Sequence, residues 1–383
     1  MPRKSKTRFL LLSDTHTLTP SPRTATSIPY RHPLPPSQVL LHAGDLTKVG
    51  LKSEHALTLS MLTAHPAELK IVIAGNHDIT LDEEYYTSVG WRRHRFRRDD
   101  GKDHLVSLPR TSTQDIAEAG TGTGYLEDPA EIKALYTSPE AIAAGIRYLD
   151  EGVQTFTVPS TGARFRVYAS AYTPEFCNWA FAYPRGVDWF NSHNHHHPST
   201  STTSYTSSSA ETETETRNVS RPENEGRKEG GVPVPDYPAV DILLTHGPPH
   251  GILDFVPGAG NVGCESLYRA VERSRPALHV FGHIHEGYGA RRVEWDVDAG
   301  DETGGGTGQV KGKKRVEEIE WDRETVLEER CAYADLTAGS ERPLRRGEET
   351  LFVNASVVTV EYQPLNAPWV VDLDLDVDEG GVY

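Results

Sequence analysis

Residues 278–289, LHVFGHIHEGYG, place two histidines, His283 and His285, directly after a short apolar run. The run has the length and composition of a buried strand, and α/β proteins build their sites on the loops that follow such strands. The chain has 17 histidines, so a pair with this spacing also arises by chance. The pair therefore indicates a metal site only if further ligands follow other strands.

Polar side chains also follow four other apolar runs. These candidate ligands are Asp14, His16, Asp45, Asn76 and His246. Asp14 and Asp45 are 31 positions apart, as are Asp45 and Asn76. This is about the length of one βαβ unit, so neighbouring parallel strands would bring these side chains together.

The types of side chain in this set indicate one kind of chemistry. Carboxylate, amide and imidazole groups without cysteine suit divalent ions such as Mn²⁺, Fe²⁺, Zn²⁺ or Ni²⁺. Seven candidates exceed the needs of one ion, whereas two ions that share a carboxylate would use them all. Two cations about 3.5–4 Å apart activate a water and neutralise a phosphoryl oxygen, which is the chemistry of phosphoester hydrolysis.

The rest of the chain predicts an α/β fold. Short apolar runs alternate with helical patterns such as residues 261–274. Residues 369–378, WVVDLDLDVD, alternate in a way typical of a strand with one solvated face. We predict one domain, residues 1–383, with a low-complexity, disordered insert at 191–236 and a charged, glycine-rich insert at 296–349 that includes a short surface helix.

Composition excludes some partners. The chain has 39 basic and 55 acidic residues, a net charge of −16, and this charge repels nucleic acid and anionic membranes. Only three cysteines occur and no apolar run is long enough to span a bilayer, so we predict a cytoplasmic protein. The basic stretch WRRHRFRR, residues 91–98, has two interpretations: a solvated loop, or a surface for nucleic acid or an acidic partner.

The motifs, taken in order, resemble one known family. DTH (14–16), GD (44–45), GNHD (75–78), THGPP (245–249) and GHIH (282–285) together resemble the calcineurin-like metallophosphoesterase superfamily. NWAF (178–181), VGCESL (262–267) and YQPLNAPW (362–369) resemble its metallophosphoesterase-domain-containing branch. The resemblance implies a four-layer α/β/β/α sandwich of two mixed sheets.

The resemblance also implies roles for individual residues. Asp14, His16 and His285 would bind a first metal ion; Asn76, His246 and His283 a second; and Asp45 both. Mn²⁺ is the first choice, with Fe, Zn²⁺ or Ni²⁺ as alternatives. His77 would face the leaving group, and Asp78 would hydrogen-bond His77 and orient it.

The branch implies hydrolysis of a small phosphodiester or nucleotide, including cyclic nucleotides, by attack of a hydroxide that bridges the two metals. Asn178, Trp179 and Phe181 are candidates for the substrate pocket, with core packing of the aromatic side chains as the alternative. A metal-binding scaffold or regulatory protein with little catalysis, and a phosphomonoesterase or protein phosphatase, are the alternative functions. GDLTKVG (44–50) lacks the Asp-Arg-Gly of protein phosphatases, which disfavours a phosphoprotein substrate. The sequence leaves the physiological substrate and the oligomeric state open.

Overall fold

The computed structural model describes residues 3–95, 127–192, 230–297 and 310–377. Its strands are β1 (Lys4–Leu12), β2 (Val39–His42), β3 (Leu69–Val72), β4 (Ile146–Tyr148), β5 (Gly152–Thr157), β6 (Arg164–Ser170), β7 (Thr173–Pro174), β8 (Ala182–Tyr183), β9 (Ile242–Thr245), β10 (Phe255–Val256), β11 (Gly260–Asn261), β12 (Leu278–Phe281), β13 (Gly289–Val297), β14 (Val310–Glu318), β15 (Ala332–Asp335), β16 (Glu349–Asn354) and β17 (Trp369–Asp376). Its α-helices are α1 (Lys52–Ala64), α2 (Glu83–Tyr85), α3 (Arg92–Arg95), α4 (Pro129–Thr137), α5 (Pro139–Ala143), α6 (Glu265–Ser274) and α7 (Arg323–Glu329). Two 3₁₀ turns and one π-helical turn complete the set: Ile79–Leu81, His285–Gly287 and Tyr86–Gly90.

Two large mixed sheets contain most of the strands. The first has the order β15-β17-β1-β2-β3-β4, in which β1 to β4 run parallel and β17 runs antiparallel to β1. The second has the order β14-β13-β16-β12-β9-β6-β5, with four central parallel strands and antiparallel strands at both edges. The expected mixed topology is therefore confirmed.

Apolar side chains hold four layers together. Between the sheets, Phe9 of β1 packs edge-on against Phe165 of β6, with ring centroids 5.5 Å apart. On the outer face of the first sheet, Leu10 belongs to a cluster with Leu62 of α1. On the outer face of the second sheet, a similar cluster includes Val271 of α6. Because both faces of each sheet are covered, the structure confirms the predicted α/β/β/α sandwich.

The segment 296–349 differs from the expected charged insert with a surface helix. The helix covers only Arg323–Glu329, whereas Val310–Glu318 forms β14, which pairs with β13. Its charges match those of the neighbouring strand: Arg291 pairs with Glu318 at 2.7 Å, and Lys314 with Glu294 at 3.2 Å. Part of the charged stretch expected to form a surface helix is therefore an edge strand, whose charges are opposite to those of the neighbouring strand.

Only parts of the two predicted inserts lie among the described residues; 193–229 and 298–309 lie outside them. Near the end of the predicted insert 191–236, the side chain of Val234 is buried, and its backbone N–H donates to the carbonyl of Phe190 at 3.0 Å. The division into one domain with two inserts stays a prediction. No helix in the described ranges has the length and apolar character needed to cross a membrane.

The alternating strand β17 also differs from expectation at one position. Asp376 is exposed, as a solvated face requires, but Asp372 is fully buried. Its carboxylate accepts two hydrogen bonds from Arg8 on β1, both at 2.8 Å. The strand assignment is correct. The expectation that all its aspartates face solvent is wrong for Asp372, because this residue forms a buried ion pair with Arg8, 364 positions away in the sequence.

Candidate metal centre

The candidate ligands follow strands whose carboxyl ends meet at one edge of the sandwich. β1, β2 and β3 are parallel neighbours in the first sheet, which confirms the expectation from the 31-residue spacing. β9 and β12 are parallel neighbours in the second sheet. Loops after these five strands carry all seven predicted ligands, so residues far apart in the chain come together.

The backbone at the ligand positions is unusual. Asp14, His16, Asp45 and His283 all have left-handed φ values, of 53°, 42°, 52° and 67°. Such a conformation is uncommon in residues with a Cβ, and its clusters occur where the surroundings impose it for function. Here the first two loops hold each other: the N–H of His16 donates to the carbonyl of Asp45 at 2.9 Å.

Two glycines leave room for the carboxylates. A Cβ at Gly75 would overlap with Asp45, and a Cβ at Gly282 would overlap with Asp14. Both glycines belong to motifs quoted above, and the close approach of side chain to backbone explains why these positions lack a side chain.

Backbone carbonyls orient three of the histidines. The Nδ1 atoms of His16, His246 and His285 lie 3.1, 2.9 and 3.2 Å from the carbonyl oxygens of Thr47, Ala43 and Thr359. A carbonyl only accepts, so in each ring Nδ1 carries a hydrogen, and Nε2 is the nitrogen that remains to bind a metal ion. This arrangement is typical of histidines that bind metals through Nε2.

The Nε2 atoms face carboxylate oxygens at distances longer than a hydrogen bond. His16 Nε2 lies 3.5 Å from Asp45 Oδ2, His246 Nε2 lies 3.4 Å from Asp45 Oδ1, and His285 Nε2 lies 3.4 Å from Asp14 Oδ1. His16 Nε2 is buried and has no hydrogen-bond partner. Lone pairs that converge in this way fit a divalent cation held between them.

The ligand atoms form overlapping groups. In each of three triplets these atoms lie within 4.8 Å of one another: Asp14, His16 and His285; Asp14, Asp45 and His246; and His16, Asp45 and His77. Asn76 joins through its Oδ1, which lies 2.9 Å from His246 Nε2. The His283 ring lies 4.9 Å from that of His246, between ring centroids. All seven predicted ligands therefore lie in one region.

Burial shapes the electrostatics of this region. Burial, together with the neighbouring carboxylates of Asp14 and Asp78, raises the pKa of Asp45 well above its usual value. Burial lowers the pKa of His16 and His283 well below the usual value, with a further contribution from neighbouring histidines. Cations in the site would hold these carboxylates ionised and these imidazoles neutral.

Comparison with known proteins identifies the family. The sequence profile of the calcineurin-like phosphoesterases matches residues 7–287. The chain is 30% identical over 369 residues to metallophosphoesterase domain-containing protein 1 of Homo sapiens and of Mus musculus; the match covers 96% of this chain and 71% of each relative. The chain belongs to the calcineurin-like phosphoesterase family.

A third relative carries a different name. The phosphoesterase is 30% identical over 294 residues to the probable rhamnogalacturonate lyase C of Emericella nidulans. That match covers 76% of this chain but only 18% of the relative. The name of that protein therefore gives no information on the reaction carried out here.

His77 lies beside the predicted ligands in the phosphoesterase. Its backbone N–H donates to Asp45 Oδ1 at 2.8 Å, and its ring Nδ1 lies 2.7 Å from the carbonyl oxygen of Lys48. Its ring stacks on that of Trp179, with centroids 4.1 Å apart and planes 26° apart. Burial lowers the pKa of His77 to about 4. The ring is thus held on one edge and on one face.

The predicted contact between Asp78 and His77 is wrong. The Asp78 carboxylate accepts from the N–H groups of Leu46, Thr47 and Gly75 and from the Thr47 hydroxyl, at 2.6–3.1 Å. These donors leave its oxygens facing the loop after β2 rather than the imidazole. Burial is the largest influence on this carboxyl and raises its pKa to about 6. Asp78 therefore supports the loop whose carbonyls orient His16 and His77.

The three predicted pocket residues have different surroundings. Phe181 is buried and packs edge-on against Tyr172, so the alternative interpretation, core packing, is correct for this ring. The Trp179 ring has His77 at 4.1 Å and the Arg93 guanidinium at 3.7 Å from its centroid. Two groups this close cannot share one face, so no face remains for a substrate ring. Asn178 is exposed, and its carbonyl accepts from the Tyr85 hydroxyl.

Tyr362 is a site residue that the sequence analysis missed. Its ring centroid lies 4.9 Å from that of His16, 5.3 Å from that of His285 and 6.5 Å from that of His77. The residue is 46% exposed and has a left-handed φ of 58°. It follows β16 by eight positions, so a search confined to strand ends does not find it. Only its place in the motif YQPLNAPW pointed to it.

Proposed function

We propose that the phosphoesterase hydrolyses phosphodiesters at a centre of two divalent metal ions, with cyclic nucleotides among the candidate substrates. The observation that carries this proposal is the position of Asp45. One of its oxygens faces His16, from the first sheet, and the other faces His246, from the second. A carboxylate with a histidine at each oxygen is suited to bridge two ions.

The proposed ligands divide into two groups around this carboxylate. Asp14, His16 and His285 would hold one ion, and Asn76, His246 and His283 the other. When bound, the two cations lower the pKa of a water molecule and neutralise charge on a phosphoryl oxygen. The oxygen and nitrogen donors suit Mn²⁺ as the first metal to test, with Fe, Zn²⁺ and Ni²⁺ as alternatives.

The proposed role of His77 follows from its surroundings. A ring nitrogen of His77 lies within 4.8 Å of the ligand atoms of His16 and Asp45, although its Nδ1 is occupied by a carbonyl. From this position the ring can hydrogen-bond the leaving oxygen or a phosphoryl oxygen. We therefore assign His77 to the reacting group rather than to a metal.

Two features support a diester rather than a phosphoprotein. Tyr362 presents a half-exposed ring beside the site, which suits an organic ester group. The segment after the bridging carboxylate reads Leu46, Thr47, Lys48, without the arginine of protein phosphatases. A small phosphodiester or nucleotide is therefore the proposed substrate. A cytoplasmic location stays a prediction; the three cysteines are free, as a reducing compartment requires.

The test is hydrolysis of bis(p-nitrophenyl) phosphate by metal-stripped protein supplied with Mn²⁺. We expect turnover that depends on metal, disappears in Asp45→Asn, and falls roughly 10²-fold or more in His77→Ala. Faster hydrolysis of p-nitrophenyl phosphate would instead favour a phosphomonoesterase. Two bound ions without turnover of either ester, whatever the metal, would favour the scaffold function.

A further inference from the structure

Arg93 belongs to the basic stretch that the proposed function leaves unexplained, yet its side chain contacts the site. The centre of its guanidinium lies 3.7 Å from the centroid of the Trp179 ring. The other face of Trp179 carries the His77 ring at 4.1 Å. Arg93, Trp179 and His77 therefore form one continuous stack that ends at the reacting group, and we refer to these three residues as the Arg93 stack.

The guanidinium is fixed by hydrogen bonds as well as by the indole. Its Nε donates to the hydroxyl of Tyr85 at 2.9 Å, and one terminal nitrogen donates to the carbonyls of Cys177 and Asn178 at 3.1 and 3.0 Å. The Tyr85 hydroxyl in turn donates to the Asn178 carbonyl at 2.7 Å. Arg93 thus binds the loop that immediately precedes Trp179 and holds its carbonyls in place.

The loop needs such support. Cys177 and Asn178 both have left-handed φ values, 50° and 55°, and both are exposed. Two successive left-handed residues with a Cβ are uncommon and persist only where other contacts impose the conformation. Without the donors of Arg93 this loop would relax, and the direction of Trp179 would change with it.

We propose that Arg93 is a positioning residue that acts through Trp179 to fix the His77 ring against the substrate phosphoryl group. The inference rests on the proposed phosphodiesterase function and adds the parts that hold its reacting histidine. The carbonyl of Lys48 fixes one edge of the ring, and the Arg93 stack fixes one face. Together these two contacts leave the imidazole a single orientation.

A double-mutant cycle tests this route of action. In the metal-loaded enzyme with bis(p-nitrophenyl) phosphate, Arg93→Ala should lower kcat about tenfold, part of the roughly 10²–10⁴-fold contribution of a positioned acid or base, with KM within about twofold. The double variant Arg93→Ala/His77→Ala should have the same kcat as His77→Ala alone, because Arg93 acts through the ring that is missing. A second tenfold loss in the double variant would overturn the inference.

Arg92 provides a matched control. It is the preceding arginine, it is exposed, and it lies 5.5 Å over Trp91 rather than over Trp179. Arg92→Ala should keep the wild-type kcat. Arg93→Lys keeps the charge but loses the planar fork, so it should lose kcat nearly as Arg93→Ala does. A higher KM with an unchanged kcat in Arg93→Ala would indicate direct binding of the substrate anion and would contradict the positioning role.

A spectroscopic readout separates this inference from the proposed function. The ring resonances of His77, assigned in histidine-labelled protein with His77→Ala, report the ring current of Trp179. The chemical shifts of these His77 resonances should change in Arg93→Ala and remain as in the wild-type protein in Arg92→Ala. Unmoved resonances in Arg93→Ala would overturn the inference. If the wild-type protein cleaves no diester, the proposed function fails, and these resonances still decide whether the Arg93 stack positions His77.

Discussion

Three site histidines use the same ring nitrogen in the same way. The Nδ1 atoms of His16, His246 and His285 each face a backbone carbonyl, which leaves Nε2 for a metal. These candidate ligands could be predicted from the sequence because each lies within four positions of the end of an apolar strand. Tyr362 and Arg93 could not be predicted as site residues, because they reach the site from loops whose paths depend on tertiary contacts.

Asp78 offers the first prediction at the residue scale. Its carboxylate accepts four hydrogen bonds from the loop after β2 and from Gly75. Both oxygens of the carboxylate accept hydrogen bonds, and the amide nitrogen of Asp78→Asn cannot accept. We therefore expect a loss of about 2–3 kcal/mol in the free energy of unfolding. Metal affinity should fall about tenfold, since the loop carries the carbonyl that orients His16.

Urea unfolding and titration with Mn²⁺ measure these two effects. Asp82→Asn is a suitable control, because Asp82 caps α2 through Tyr85 and is not among the proposed ligands. It should change stability without changing metal affinity. Wild-type metal affinity in Asp78→Asn would show that the loop holds His16 without the carboxylate.

Tyr362 offers the second prediction at this scale. Its exposed ring beside His16 and His285 is proposed to contact an ester group of the substrate. Tyr362→Ala should raise KM for bis(p-nitrophenyl) phosphate about tenfold, the equivalent of an aromatic contact of about 1.4 kcal/mol. Tyr362→Phe should keep the wild-type KM. Leu365→Ala, an exposed position in the same loop, is the control, and an unchanged KM in Tyr362→Ala would contradict the contact.

At the scale of elements, strand β17 shows where pattern reading succeeds and fails. Alternation predicts the strand, but it treats every aspartate on the polar face alike. Asp372 differs because β17 pairs antiparallel with β1, which places Arg8 opposite it. That neighbour is 364 positions away in the chain, so only the folded sheet reveals which carboxylate is buried.

This ion pair predicts how stability depends on pH. Burial raises the pKa of Asp372, but the hydrogen bonds from Arg8 and Lys6 lower it by more than burial raises it. The resulting pKa is about 2. The folded pKa lies below the unfolded value of about 3.9, so the stabilisation is complete above that value and is lost as the pH falls towards 2. Asp372→Asn should lose about 2 kcal/mol at neutral pH and show a smaller further loss between pH 5 and 2.

Urea unfolding at a series of pH values measures this effect. Asp376→Asn is the matched control, because Asp376 lies on the same strand and is exposed. Its curve should follow that of the wild-type protein. Parallel curves for Asp372→Asn and the wild-type protein would show that the ion pair makes no pH-dependent contribution.

At the scale of the whole molecule, the candidate site joins the two sheets. The candidate ligands after β1, β2 and β3 come from the first sheet, and those after β9 and β12 come from the second. The sandwich could be predicted because the motif order resembles a known family. The pairing of β14 with β13 could not be predicted from the sequence. The charges of β14 indicate solvent exposure, and its partner strand is defined only by the fold.

Metal removal should therefore weaken the whole sandwich. An ion that binds only the folded protein stabilises it by about 2.7 kcal/mol at a free concentration of 100 times its Kd. We expect chelation to lower the Tm by about 3 °C for each ion removed, and Mn²⁺ to restore it. Differential scanning calorimetry with and without Mn²⁺ measures the shift. Asp45→Asn should show a smaller shift, and an identical Tm in all conditions would exclude ions that link the sheets.

The central position of β1 has a consequence for synthesis on the ribosome. β1 lies between β2 and β17, and the paired residues Arg8 and Asp372 are translated 364 positions apart. Until residues 369–376 emerge, one edge of β1 stays open and the strand that leads to Asp14 is held from one side only. Pairing over such a distance is slow and exposes an edge to other chains. The nascent chain therefore depends on protection of this edge, and β1 is paired on both sides only after residues 369–376 have left the ribosome.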